Sequence, residues 1–225
     1  MAEIIWRGNR DQYLAELDEM YERRDAVFFD QMGWCREAAG IEKGWDCDRF
    51  DDEHAIYIIQ KNARTGRLVA HCRLLRTDRP HMMTDVFSHM CNHDEGIPIG
   101  SNILEFTRVC YDREQMEPGE DYFRWVRGAF CTAVTEFCVR QGVDTMTYVV
   151  TEAHLRSLQK RVWPSFQLGD FFYDPNIDQN LTAAKGLTDK ATLERIRTRL
   201  LGTNEQVLFY KGPMHTTNLE IVRAA

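Results

Sequence analysis

Residues 103–110, Ile-Leu-Glu-Phe-Thr-Arg-Val-Cys, form an apolar run that carries two opposite charges. The composition reads as a buried β-strand. Glu105 and Arg108 are costly to bury unless they are paired or used. Strand alternation places Glu105, Thr107 and Val109 on one face and Leu104, Phe106 and Arg108 on the other. A bulge would bring the two charges to one site; the plainer reading is a structural ion pair at a sheet end. Upstream, Arg24, Phe28, Trp34, Asp48, Asp51, Arg73 and Phe87 add a constellation of charged and aromatic groups.

Around this segment the pattern alternates between strand and helix periods. Residues 3–6 read as a short first strand, and residues 10–32 carry helical spacing that Gly33 stops. Residues 33–53 are irregular and rich in Trp, Gly and Asp, a length that marks a functional or mobile loop. Two strands, 54–60 and 67–76, are joined by a turn through Asn62–Gly66. A short helix at 84–90 precedes the strand 103–110. Then come an amphipathic helix over about 121–141, with Tyr122 and Val126 in its stripe, a strand at 144–151 and a helix at 152–162. Beyond Pro164 the pattern predicts a strand at 166–173, a loop, a helix at about 188–201 and a last strand at 206–210. Neighbouring antiparallel strands followed by crossover helices predict an α/β three-layer sandwich, a mixed twisted sheet with helices on both faces. Without repeats or linkers, residues 1–225 read as a single domain.

Composition narrows the function. A net charge of −7 argues against general nucleic-acid binding. No apolar run approaches the roughly 20 residues of a membrane span. The N-terminus, MAEIIWRGNRDQ, lacks a signal-peptide pattern, and seven cysteines without a CxxC pair fit reduced thiols, so a cytoplasmic location is expected. No metal is expected: the acidic cluster lacks EF-hand spacing, and His89, Cys91 and His93 have no second half-site. A G-x-S-x-G elbow, a Walker loop and a GxGxxG motif are all missing.

Phe28 and Trp34, where the first helix ends, suit stacking on a flat ring or a cation; the competing role for Phe28 is core packing. Asp48 and Asp51 flank Phe50 and pair with Arg24 and Arg73 or hold a cationic ligand; the competing role is a solvated loop anchored by Phe50. Arg156 and Lys160, at i and i+4 with Arg161 beside them, give one helix a basic face.

Taken in order, Arg24, Phe28, Trp34, the D-x-F-D element Asp48–Asp51, the segment from Arg73 to Phe87, and Glu105-Phe-Thr-Arg108 resemble the LuxI-type acyl-homoserine-lactone synthases, the autoinducer synthase family. The resemblance is specific over residues 24–112 and looser afterwards. It implies an acyltransferase (GNAT)-like fold. It also implies an enzyme that joins S-adenosylmethionine, used as substrate rather than cofactor, to an acyl group from acyl carrier protein or acyl-CoA. The products would be an N-acyl-L-homoserine lactone for quorum sensing, 5′-methylthioadenosine and free carrier. Glu105 would be the base or base-relay, and Arg108 an electrostatic aid to the developing oxyanion. Arg24, Phe28, Trp34, Asp48, Asp51, Arg73 and Phe87 would form the S-adenosylmethionine site and its supporting ions. Met146, Tyr148 and Val150 would line the acyl pocket, and Arg156, Lys160 and Arg161 would dock the acidic carrier. Arg76 and the Ala153-His154-Leu155-Arg156 run depart from the family pattern, as does Tyr148, which stands where relatives often carry Thr. Two other readings compete. An acetyl-CoA-dependent N-acetyltransferase would want a glycine-rich turn where Asp112–Asp121 is acidic. A non-catalytic ligand-binding module would not need Glu105 or Arg108.

Overall fold

The computed structural model describes residues 2–116, 121, 127–202, 208–209 and 221. Strand β1 (Ala2–Ile5) is followed by helix α1 (Leu14–Asp25), which runs on into a wide π-helical turn, Ala26–Gln31. After a short α2 (Arg36–Ala39) come β2 (Ile56–Lys61), β3 (Leu68–Arg76), the one-turn α3 (Met82–Asp85) and β4 (Ile103–Tyr111). Next are α4 (Ala129–Gln141), β5 (Thr145–Thr151), α5 (Glu152–Arg161), β6 (Ser165–Gln167) and β7 (Phe172–Asp174). The chain continues through β8 (Gln179–Leu187), α6 (Lys190–Ile196) and β9 (Leu208–Phe209).

One sheet runs in the order β6-β8-β5-β4-β3-β2-β1-β9, with β7 also paired to β8. Strands β1 to β4 are antiparallel neighbours, β4 and β5 are parallel, and β8 is antiparallel to β5. The parallel β4–β5 step requires a crossover, which α4 makes. Helices cover both faces. Leu17, Met20 and Tyr21 of α1 pack with Tyr57, Ile59 and Leu75 on one face. Phe130, Val134 and Phe137 of α4 and Leu155 and Leu158 of α5 pack with Leu74, Leu104 and Phe106 on the other. This is the expected three-layer α/β sandwich.

Two expectations fail after residue 160. The strand expected over 166–173 is two short strands, with Gly169 between them passing the 82–93 segment so closely that a Cβ there would run into the Met90 carbonyl. The expected loop after it contains the nine-residue β8. Its sequence, Gln-Asn-Leu-Thr-Ala-Ala-Lys-Gly-Leu, has weak β-propensity, and tertiary packing overrides that preference. The small residues serve a neighbour: Gly186 leaves room for the buried Tyr148 ring, whose hydroxyl donates to Ser165 Oγ at 2.6 Å. Of the expected helix over 121–141, residues 129–141 are helical, and Tyr122 and Val126 lie outside the described residues.

A Cβ on Gly186 would lie 2.6 Å from Tyr148 Oη. Gly186→Ala should therefore cost about 1–3 kcal/mol through overpacking. In a Tyr148→Phe background the same substitution should cost less, because the clashing oxygen is gone. Paired thermal melts of the four proteins measure this difference.

Candidate active site

The site begins with a break in β4. Against β3, His71 pairs with Cys110 but Arg73 pairs with Thr107, so β4 holds one residue more than its partner. Arg108 takes up the difference at φ 52°, a left-handed conformation that is uncommon for an Arg. Regular alternation would have turned Arg108 toward Phe106 and the α4 side. The bulge turns it instead onto the face of Glu105 and Thr107, and Cys110 follows it there to pack with Phe28, Phe29 and Ile41. On the opposite edge, the β4–β5 ladder is registered only through Ile103–Thr145, Leu104–Met146 and Glu105–Thr147. Past Glu105 and Thr147 the two strands separate.

Arg108 reaches a buried ion network. Arg24 is fully buried and bidentate on Asp51, at 2.8 and 2.9 Å, and also donates to Asp46 at 3.2 Å. Arg73, also fully buried, holds Asp48 at 2.6 and 3.1 Å, Asp51 at 2.8 Å and the Thr107 hydroxyl at 3.1 Å. Arg108 donates to Asp48 at 3.0 Å and lies 2.9 Å from Asp46. Three guanidinium groups thus face three carboxylates, and Tyr57 adds a hydroxyl to Asp51 at 2.9 Å. Burial works against the Asp51 charge, but Arg24, Arg73 and hydrogen bonds outweigh it and hold the carboxyl well below its usual range. The charges also fix the loop: Asp48 N donates to Asp51 and Phe50 N to Asp48.

Phe28 and Trp34 form a tilted pair with centroids 4.9 Å apart. The π-turn delivers Phe28, and the Trp34 amide donates to the Phe28 carbonyl at 3.0 Å. The cation against this pair is the Arg108 guanidinium, 5.1 Å from the Phe28 ring and 5.3 Å from the Trp34 ring. The Trp34 indole N–H is buried without a hydrogen-bond acceptor among the described residues. Phe87 packs between the α1-side cluster and a second apolar cluster of Met83, Met90, Leu168 and Leu181.

Glu105 stands apart from the network. It is 1% exposed, and one carboxylate oxygen accepts from the Met82 amide at 2.8 Å at the start of α3. Burial pushes its carboxyl up to about 7, against the lowering effect of that hydrogen bond and of Arg73. Such a group changes protonation near neutral pH, as a general base must. A cavity of about 380 Å³ borders the site through Phe50 and Leu75, but Glu105 and Arg108 do not line it.

Met146 and Tyr148 are buried on the opposite face with Phe106 and Trp163, and Val150 packs against them. Arg156, Lys160 and Arg161 are exposed on α5, where Arg156 pairs with Glu152. The sequence reading missed Asp46 and Tyr57. Asp46 lies in an irregular stretch with no periodicity; its one signal is a carboxylate set between Trp45 and Cys47. Tyr57 looks like any aromatic on an apolar strand.

The fold is a splayed mixed sheet with a buried carboxylate close to a fixed ion network, the build of an α/β enzyme. The autoinducer synthase family model matches residues 9–183, and the chain belongs to that family of acyltransferases. It is 26% identical over 178 residues to the isovaleryl-homoserine lactone synthase of Bradyrhizobium diazoefficiens, covering 72% of this chain and 76% of that one. An acyl-homoserine-lactone synthase of Rhizobium etli is 34% identical over 112 residues, 49% of this chain and 50% of that one. Among solved structures, the CoA-dependent acyl-homoserine lactone synthase BjaI, with SAM and isopentyl-CoA, superposes with a TM-score of 0.84. It has 24% identity and covers 100% of this chain and 99% of that one. No helix among the described residues is long and apolar enough to cross a membrane.

Removing one carboxylate from the network strands buried cations. Asp46→Ala should cost about 3–5 kcal/mol, since it deprives Arg24 and Arg108 together. For a chain of this size that lowers the thermal midpoint by on the order of 10 °C. Glu105 has the opposite sign. Its folded-state carboxyl titrates above the unfolded one, so its burial is free of charge cost in acid and penalised as pH rises from about 4.5 to about 7. Glu105→Gln should gain stability relative to the parent across that window, by up to about 3 kcal/mol. Denaturant midpoints of both proteins at pH 5 and pH 8 measure the difference.

Proposed function

We propose that this chain makes an N-acyl-L-homoserine lactone from S-adenosylmethionine and an acyl thioester. The observation that carries the reading is the Glu105 carboxyl, buried at the point where β4 and β5 part and titrating near 7. The α-amine of S-adenosylmethionine attacks the thioester carbonyl and passes a proton to Glu105, directly or through water. The carbon–sulfur bond of the thioester breaks, and the thiol leaves with a proton. The methionyl carboxylate then attacks its own γ-carbon, which breaks the bond to the sulfonium and releases 5′-methylthioadenosine and the lactone. Backbone N–H groups freed by the splay and the Arg108 guanidinium stabilise the developing oxyanion. Arg24, Arg73, Asp46, Asp48 and Asp51 hold the acceptor side rigid, and Phe28, Trp34 and Phe87 pack on the nucleoside. Residues 1–225 act as a single domain, a reading supported by the one continuous sheet.

The acyl chain lies along the β5 face of Met146, Tyr148 and Val150. The Tyr148 hydroxyl is already committed to Ser165, and its ring fills the space beside Trp163. That favours a short or branched acyl group over a long one. For the carrier, the exposed basic face of Arg156, Lys160 and Arg161 supports docking of acidic acyl carrier protein. A second reading, acyl-CoA, has its own support: Arg156 is partly neutralised by Glu152, and the similar BjaI is described as CoA-dependent.

Incubation with S-adenosylmethionine and a panel of acyl-carrier-protein and acyl-CoA thioesters, read by mass spectrometry, tests the proposal. The expected products are an acyl-homoserine lactone of short chain and 5′-methylthioadenosine. Glu105→Gln should lower turnover by about 10²–10⁴ while the protein stays folded. Acetylation of amines from acetyl-CoA with no lactone from any donor would assign the chain to the N-acetyltransferases instead.

A further inference from the structure

Thr147 is the β5 partner of Glu105 in the last registered pair before the strands separate. Parallel-paired residues point to the same face, so the Thr147 and Glu105 side chains leave adjacent strands on the same side at the apex of the splay. Thr147 is fully buried, and its Oγ1 has no hydrogen-bond partner among the described residues. Other buried threonines of this chain are satisfied. Thr132, Thr135, Thr182 and Thr188 each donate to a backbone carbonyl at 2.7–3.2 Å. A buried hydroxyl left unpaired opposes folding, whereas Val has nearly the same shape without that cost. Valine is also well accommodated further along the strand, at Val149 and Val150. The hydroxyl is therefore unexplained by packing, and it stands on the strand next to the buried Glu105, on the same face of the sheet.

We infer that Thr147 binds the reacting nitrogen of the acceptor. The inference rests on the function proposed above and adds a contact to it. A primary amine that gives one proton to Glu105 and forms one bond to the acyl carbon keeps another N–H. The Thr147 oxygen accepts that N–H, which sets the direction of the nitrogen lone pair. Glu105 and Thr147 together grip the amine from adjacent strands, and the splay beyond them leaves room for the thioester. The ligand class is a primary amine presented by a larger cationic molecule, here S-adenosylmethionine.

The test compares the parent chain with Thr147→Val and Thr147→Ser, using steady-state kinetics, S-adenosylmethionine binding by calorimetry and thermal midpoints without ligand. Thr147→Val is expected to melt at the same temperature as the parent or higher, because an unpaired hydroxyl is gone. Its kcat/KM for S-adenosylmethionine is expected to fall about 10- to 100-fold, the effect of one hydrogen bond to a charged group. Its S-adenosylmethionine affinity should weaken, while KM for the acyl thioester stays within about twofold. Thr147→Ser should recover most of the loss. Unchanged kinetics and binding in Thr147→Val would overturn the inference. A lowered melting temperature with no rescue by Ser would also overturn it, by showing a structural role. Both results leave the proposed function intact as long as the parent makes lactone. A parent that makes none overturns the function and this contact with it.

Discussion

Three buried guanidinium groups matched by three buried carboxylates hold this molecule's functional half together. Taking six charges out of water is costly, and an apolar core of equal volume would serve stability as well or better. What the network supplies is position. It draws residues 46–51, which have little apolar content, against the sheet. It also draws Arg108 over to Asp46 and Asp48, and so sustains a backbone conformation that an Arg seldom adopts. The bulge, the change of face and the packing of Cys110 with Phe28 all accompany that attraction.

Balance within the network also protects Glu105. A lone cation at this depth would pull a neighbouring carboxyl far below its usual range, as Arg24 and Arg73 do for Asp51. Arg73 pulls the Glu105 carboxyl down while Asp48, which answers that Arg, pushes it up, so the two oppose each other. Burial then dominates, and the carboxyl settles near 7. Two carboxylates on one sheet face thus differ in kind: Asp51 is permanently charged and structural, and Glu105 is able to exchange a proton.

The sequence made much of this legible, and the reasons for the gaps are physical. Strands β2, β3, β4 and β5 are apolar runs with clear ends, so their positions were readable to within a residue or two. Arg24, Asp48, Asp51, Arg73 and Arg108 could be grouped through the family resemblance, and the fold brings them into one cluster. The bulge that admits Arg108 was not readable, because the partners Arg108 meets there, Asp46 and Asp48, lie 62 and 60 residues upstream. Strand β8 was hidden for a similar reason. Its Ala-Ala and Lys-Gly composition answers to the Tyr148 ring and to the strands on either side of it, not to any local preference. Where neighbours distant in sequence dictate a residue, periodicity carries no trace of it.

Gly186 and Tyr148 fit each other by volume alone, with the phenol occupying what a larger residue on β8 would take. That gives the two faces of the sheet different evolutionary freedom. On the network face, any single change leaves a charge unanswered, so variation must arrive as compensated pairs or fail. On the Tyr148 face, a smaller ring vacates space that a neighbour can fill or leave open, and each intermediate remains a folded protein. Drift is therefore blocked on the network face and open on the Tyr148 face, where the acyl chain is proposed to lie. On that proposal, a lineage built on this scaffold can change the length or branching of its signal step by step without disturbing the chemistry that makes it.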